Sequence, residues 1–111
     1  MINISSLKTL ENEIGSEDFM EVATLFLSEM DEALEKLPQI KDAPAMGDAL
    51  HFLKGASLNL GLTEFSELCI SGEHHAKLGQ IDAIDPAKIV EVYTASRHCL
   101  TDYLNGIGNT D

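Results

Sequence analysis

Apolar residues recur at intervals of three and four along almost the whole chain, and no stretch alternates with the two-residue period of a strand. The chain therefore reads as all-α. Gly, Pro and capping residues divide it into a short helix at about residues 5–14 and four longer ones at about 16–37, 43–60, 63–78 and 86–105. Ser5 or Ser6 is expected to cap the first helix and Gly15 to end it, and Ser16 to cap the second, with Glu17 and Asp18 where the helix dipole favours anions. The second helix carries Phe19, Val22, Phe26, Met30, Leu34 and Leu37 before Pro38 stops or kinks it. Asp42 or Ala43 opens the third, whose inward stripe reads Met46, Ala49, Leu50, Leu53, Ser57 and Leu60, and Gly61 ends it. Thr63 opens the fourth, which carries Phe65, Leu68, Cys69 and Leu78 as far as Gly79. Asp85 caps the last, with Pro86 in its first position; it buries Ile89, Val92, Tyr93, Ser96, Cys99, Leu100 and Tyr103, and Gly106 ends it.

Helices of about 17 to 20 residues joined by short connections pack most economically as antiparallel neighbours. The expected architecture is an up-down antiparallel four-helix bundle, with the short additional N-terminal helix closing one end. A chain of 111 residues forms one domain, 1–111, and buries about two-thirds of its unfolded surface, which needs no dimer, so a monomer is expected. Such bundles serve as carriers, adaptors, cytokines and metal enzymes, and the fold leaves the function open.

Composition narrows the choice. Seven Lys and Arg against nineteen Asp and Glu leave a net charge of −12, which repels nucleic acid and anionic membrane at long range. A hydrophobic fraction of 44% is too high for a disordered acidic tail. Apolar stretches such as Val22–Leu27 are far too short to cross a bilayer. The amino terminus has no secretion pattern, and Cys69 and Cys99 lack the paired spacing of zinc or redox motifs. Buried, reduced thiols and a cytoplasmic address are expected.

The chemistry concentrates on the third helix. At 100° per residue, His51 points about 150° away from the apolar stripe and should face solvent. Lys54 and Gly55 are its neighbours one turn on, and Leu58 lies on the same outer side. Glycine in a helix interior costs about 1 kcal/mol relative to alanine. Gly55 therefore calls for a reason, and removing the side chain that would crowd the imidazole supplies one. An imidazole is a competent nucleophile at neutral pH, and a phosphoryl group on it would bring close to two negative charges that a local lysine offsets. From Ala49 to Thr63 the only charged side chain, with histidine taken as neutral, is Lys54.

The run His51-Phe52-Leu53-Lys54-Gly55-Ala56-Ser57-Leu58-Asn59-Leu60-Gly61 resembles the phosphoacceptor helix of histidine-containing phosphotransfer (HPt) domains: histidine, any residue, leucine, lysine, glycine, a small residue, and a closing glycine. Phe26 and Leu34 match the family's preceding helix, and Leu68-Cys69 with Glu73 the following one, so the resemblance spans Ser16 to Leu78. It implies that His51 accepts a phosphoryl group from the phospho-aspartate of a response-regulator receiver domain, or from a sensor or hybrid histidine kinase, and passes it to another receiver aspartate. Lys54 would hold the phosphoryl group and Gly55 permit close approach. The receiver would bring the magnesium ion, so no intrinsic cofactor or metal is implied, nor a kinase or nucleotide site. Phe52, Leu58 and Leu62 are the expected apolar docking patch, and Ser57 is expected to be a core residue bonded to backbone. Gly72 departs from the family, which usually has leucine before the acidic residue, and predicts a frayed or kinked fourth helix.

Two other readings stand beside this one. A helical adaptor would bind a kinase or response regulator without carrying phosphate. A metal-dependent bundle would use His74, His75 or His98 with Glu73 and Cys69, but adjacent histidines diverge by about 100° on a helix and the Glu-x-x-His pair of di-iron bundles is missing. The nine acids from Glu11 to Glu35, with no base among them, read as a solvated face.

Overall fold

The computed structural model describes residues 2–108; Met1 and residues 109–111 of the expected domain lie outside the described residues. Asn3, rather than Ser5 or Ser6, starts the first helix, because its side-chain oxygen accepts the N–H of Ser6 at 3.1 Å; α1 spans Ile4–Ile14. Gly15 turns the chain at a φ of +87°, and α2, Ser16–Lys36, follows at once without a side-chain cap. Ser16 instead donates its hydroxyl to Glu11 at 2.8 Å, clasping the corner. Pro38 sits in a single 3-10 turn, Leu37–Gln39, that closes α2.

Asp42 caps α3, Ala43–Asn59, by accepting the N–H of Ala45 at 2.9 Å. α4 spans Thr63–Lys77 with Leu62 as its cap residue, so Thr63 is already inside the helix. A second 3-10 turn, Ile81–Ala83, leads to Asp85, which accepts the N–H of Lys88 at 3.2 Å and opens α5, Pro86–Gly108. α5 passes through Gly106, its expected end, because that glycine does not take the positive φ that turns a chain out of a helix. All regular structure among the described residues is helical.

The helices form a body of 49 × 21 × 20 Å. α3 and α4 pack most extensively, α4 and α2 also meet α5, α2 meets α3, and α1 lies against α2 and α3. The core side of α2 is Phe19, Ala23, Leu27, Met30 and Leu34, with Phe26 packed at its margin and Val22 only half-buried. Both strings fit a 3.6-residue period, and an apolar face as wide as this one does not mark its own centre. Leu78 is exposed, contrary to expectation, because it lies beyond the last turn of α4, where Gly79 turns the chain at a φ of +73°. Cys69 is fully buried and Cys99 only partly so.

Gly72 does not break α4, which runs continuously through it. A Cβ there would lie 2.8 Å from Cδ1 of the fully buried Leu50, so the glycine makes room for a core leucine of α3. Gly61 takes a φ of +69°, and its carbonyl accepts the N–H of Asn3 at 2.7 Å, pinning the start of α1 to the α3–α4 corner. Asp31, expected on a solvated face, is instead clamped to α5. Arg97 Nε and Nη2 donate to its two oxygens at 2.9 and 2.8 Å, and the Tyr93 hydroxyl donates to Oδ1 at 2.6 Å. The Arg97 hydrogen bond holds the Asp31 carboxyl below its usual value against the opposing effect of burial.

Candidate functional site

His51 stands exposed on α3, as its angle from the apolar stripe predicts. What the helix alone does not reveal is the group beneath it. Glu73 of α4, only 7% exposed, places Oε2 at 2.9 Å from His51 Nδ1 and accepts the Lys54 ammonium on Oε1 at 2.8 Å. Lys77, one turn further along α4, brings its Nζ to 3.7 Å from Oε2. Phe65, Cys69, Gly72, Glu73 and Ala76 form the buried side of α4, so the carboxylate is carried on the face that packs against α3.

This arrangement fixes the chemistry of the ring. The Lys54 hydrogen bond, helped by that from His51, outweighs burial and holds the Glu73 carboxyl down to about 2. An ionised carboxylate only accepts, so His51 Nδ1 carries the proton and donates it to Oε2. In the neutral ring the lone pair then resides on Nε2, the nitrogen away from the anchor. The same charge, after the larger effect of burial, pushes the Cys69 thiol up to about 12, which keeps it an inert core residue.

The other expected site residues divide. A Cβ at Gly55 would meet nothing within 4 Å, so the flank of the imidazole is open. Ser57 is buried and donates its hydroxyl to the Lys54 carbonyl at 2.9 Å, as expected of a core serine. Phe52 and Leu58 are 40% and 54% exposed. Leu62 is 0% exposed and is no part of a surface patch: its N–H donates to the Ser57 carbonyl as the chain turns after Gly61, and the side chain folds into the core. Beside His51 runs an open groove of about 320 Å³ between α3 and α4, lined by Pro44, Gly47, Asp48, Ala76 and Lys77.

The remaining histidines do not converge. His75 Nδ1 lies 2.9 Å from Gln80 Oε1, and His98 Nε2 lies 3.5 Å from Asp102. No group of three or more potential metal ligands forms among the described residues. The roles of Glu73 and Lys77 escape a reading of α3 alone, although an acid at three- and four-residue spacing on an otherwise buried stripe, with lysine four residues on, is a legible signal of a buried ion pair.

An exposed imidazole, anchored from below by a buried carboxylate and flanked by lysines on an all-helical scaffold, keeps one ring nitrogen clear of the anchor. The family model of the Hpt domain matches residues 7–107, and the chain belongs to that family. The match is wider than the resemblance read from Ser16 to Leu78 and takes in most of α1 and α5. Hpt domains are phosphotransfer modules of two-component signalling, phosphocarriers that act with receiver domains and kinases. Comparison with curated proteins and with solved structures gives no match for this chain. No helix of the described residues is long and apolar enough to cross a membrane.

Proposed function

We propose that the chain is a phosphocarrier in a phosphorelay, taking a phosphoryl group onto His51 from a receiver phospho-aspartate or a hybrid kinase and passing it to another receiver aspartate. The observation that carries this is the 2.9 Å contact between His51 Nδ1 and the buried Glu73 carboxylate, which leaves Nε2 of the exposed ring as the nucleophile. The Nε2 lone pair attacks phosphorus; the N–P bond forms as the acyl phosphate P–O bond breaks, and its electron pair leaves on the aspartate carboxylate. The ring becomes a phospho-imidazolium, and the Nδ1 proton stays in place, shared with Glu73. Return of the group to a second aspartate reverses each step.

Lys54 holds the Glu73 carboxylate that orients the ring, and Gly55 admits the partner to it. Phe52 and Leu58 form the apolar docking edge. The magnesium ion belongs to the receiver, and the chain contributes neither metal nor nucleotide site. It acts as a single cytoplasmic domain and a monomer, with α2 to α5 running up and down as antiparallel neighbours; the short connections and the order of helix contacts support that arrangement.

Incubation with a phosphorylated receiver domain labels the chain under this reading. The label is acid-labile and base-stable, as a phosphoramidate is, and His51→Gln abolishes it. Label that survives His51→Gln rejects the site, and tight receiver binding without any transfer favours the non-phosphorylated adaptor.

A further inference from the structure

We infer that Lys77 is the cation that balances the phosphoryl group on His51, an inference that rests on the phosphocarrier reading of that histidine. The motif on α3 assigns this task to Lys54. The structure engages the Lys54 ammonium elsewhere: it is hydrogen bonded to Glu73 at 2.8 Å, and its side chain is only 26% exposed. That pair is neutral as a unit. A phosphoryl group arriving on Nε2 adds about 1.5 to 2 negative charges, of which the imidazolium formed with it offsets one. Asp48, three residues before His51, lines the same groove and adds another. Without Lys77 the surroundings of the ring hold two carboxylates against one lysine.

Lys77 restores the balance and is placed to move. Its Nζ lies 3.7 Å from Glu73 Oε2, beyond hydrogen-bond distance, and its side chain is 73% exposed. It approaches the same oxygen that holds His51 Nδ1, so the ammonium and the ring share one anchor. Both side chains line the groove of about 320 Å³. When the phosphoryl group reaches Nε2, Lys77 leaves its long contact and meets the phosphoryl oxygens across the groove. Lys54 stays on Glu73 and keeps the ring oriented. The two lysines thus have different work, one as positioning residue and one as counter-ion.

The test measures the transfer rate from a phosphorylated receiver and the half-life of the phosphohistidine, with Lys77→Ala, Lys77→Glu and Lys77→Arg in the full chain. At low salt, Lys77→Ala slows transfer about three- to fivefold, Lys77→Glu slows it more, and Lys77→Arg retains it. The differences shrink at about 0.5 M salt, as they must for an exposed charge acting through solvent. A purely structural role predicts a change in melting temperature and no such salt dependence. Wild-type transfer by Lys77→Glu at low salt, in a chain that is labelled on His51, overturns the inference alone. Failure of the wild-type chain to accept label, or label that survives His51→Gln, instead removes the phosphocarrier reading and this inference with it.

Discussion

Gly55 and Gly72 are both helix-interior glycines, and alanine at either would raise helix propensity by about 0.8 to 1 kcal/mol. Their surroundings make the outcomes diverge. At Gly55 an added Cβ meets nothing within 4 Å, so Gly55→Ala keeps the full gain. For a chain of 111 residues that is a rise in melting temperature of about 4 °C. Transfer from a phosphorylated receiver moves the other way, falling with Gly55→Ala and further with Gly55→Gln, because the new atoms stand where the partner closes over His51. At Gly72 a Cβ lies 2.8 Å from Leu50 Cδ1 in the closed core, and overpacking of that kind costs about 1 to 3 kcal/mol. Set against the propensity gain, Gly72→Leu is destabilising on balance, by up to about 2 kcal/mol, with the phosphoacceptor motif untouched. Thermal unfolding by circular dichroism, paired with a transfer assay on the same samples, reads both axes. If Gly55→Ala fails to raise the melting temperature, the claim of open space is refuted. If Gly55→Gln transfers as fast as wild type, the claim of partner approach is refuted.

Glu73→Gln tests the anchor: its amide can donate to Nδ1 as well as accept, so the lone pair no longer stays on Nε2, and transfer at neutral pH falls at least about tenfold. The same variant has a pH signature. The wild-type carboxyl titrates at about 2 in the folded chain against an ordinary value of 4.5, so the unfolded state binds more protons between those values and stability falls as pH drops through that window. Denaturant titrations from pH 5 to 2 should show this acid loss reduced in Glu73→Gln; an identical profile argues against the buried ion pair. Arg97→Ala releases the α2–α5 clamp and lowers stability by about 0.5 to 1 kcal/mol with transfer unchanged, which thermal unfolding and the labelling assay check together. Leu58→Asp weakens receiver binding in a titration without shifting the melting temperature, whereas Leu62→Asp, at a fully buried position, leaves the chain unfolded or severely destabilised.

The elements of this chain were legible because each rests on local chemistry. Asp42, Asp85, Gly15, Pro38 and Gly61 act within a few residues of themselves, and each marks a boundary where the structure has one. Boundaries slipped where a competing local group was closer, as when Asn3 took the capping role expected of Ser5 or Ser6 and Ser16 turned back to Glu11. On α2 and at its C-cap, Phe19, Met30, Leu34 and Leu37 are buried as expected, but Ala23 and Leu27 take the central places expected of Val22 and Phe26, because the apolar face is broad and only its neighbours α3 and α5 decide which residues lie at the centre. Gly72 read as a weakness by propensity, yet it is a packing residue, since the bulk it avoids belongs to Leu50 on another helix.

The site shows the same division more sharply. His51, Lys54 and Gly55 are spaced along one helix surface, so their association follows from helical geometry. The same window, counted along the chain, appeared as an island of +1 within a protein of −12. Folding changes that count, because Glu73 arrives from α4, 22 residues away, and occupies both His51 Nδ1 and Lys54. The nominal cation of the motif is therefore neutralised before any phosphoryl group appears. What the carboxylate removes in charge it returns as order: one buried anion fixes the tautomer, directs Nε2 outward and holds Lys54 beside the ring. A site built this way needs a further positive charge from outside the motif, and Lys77 stands one turn beyond Glu73 on the same helix, at the edge of the groove that His51 faces.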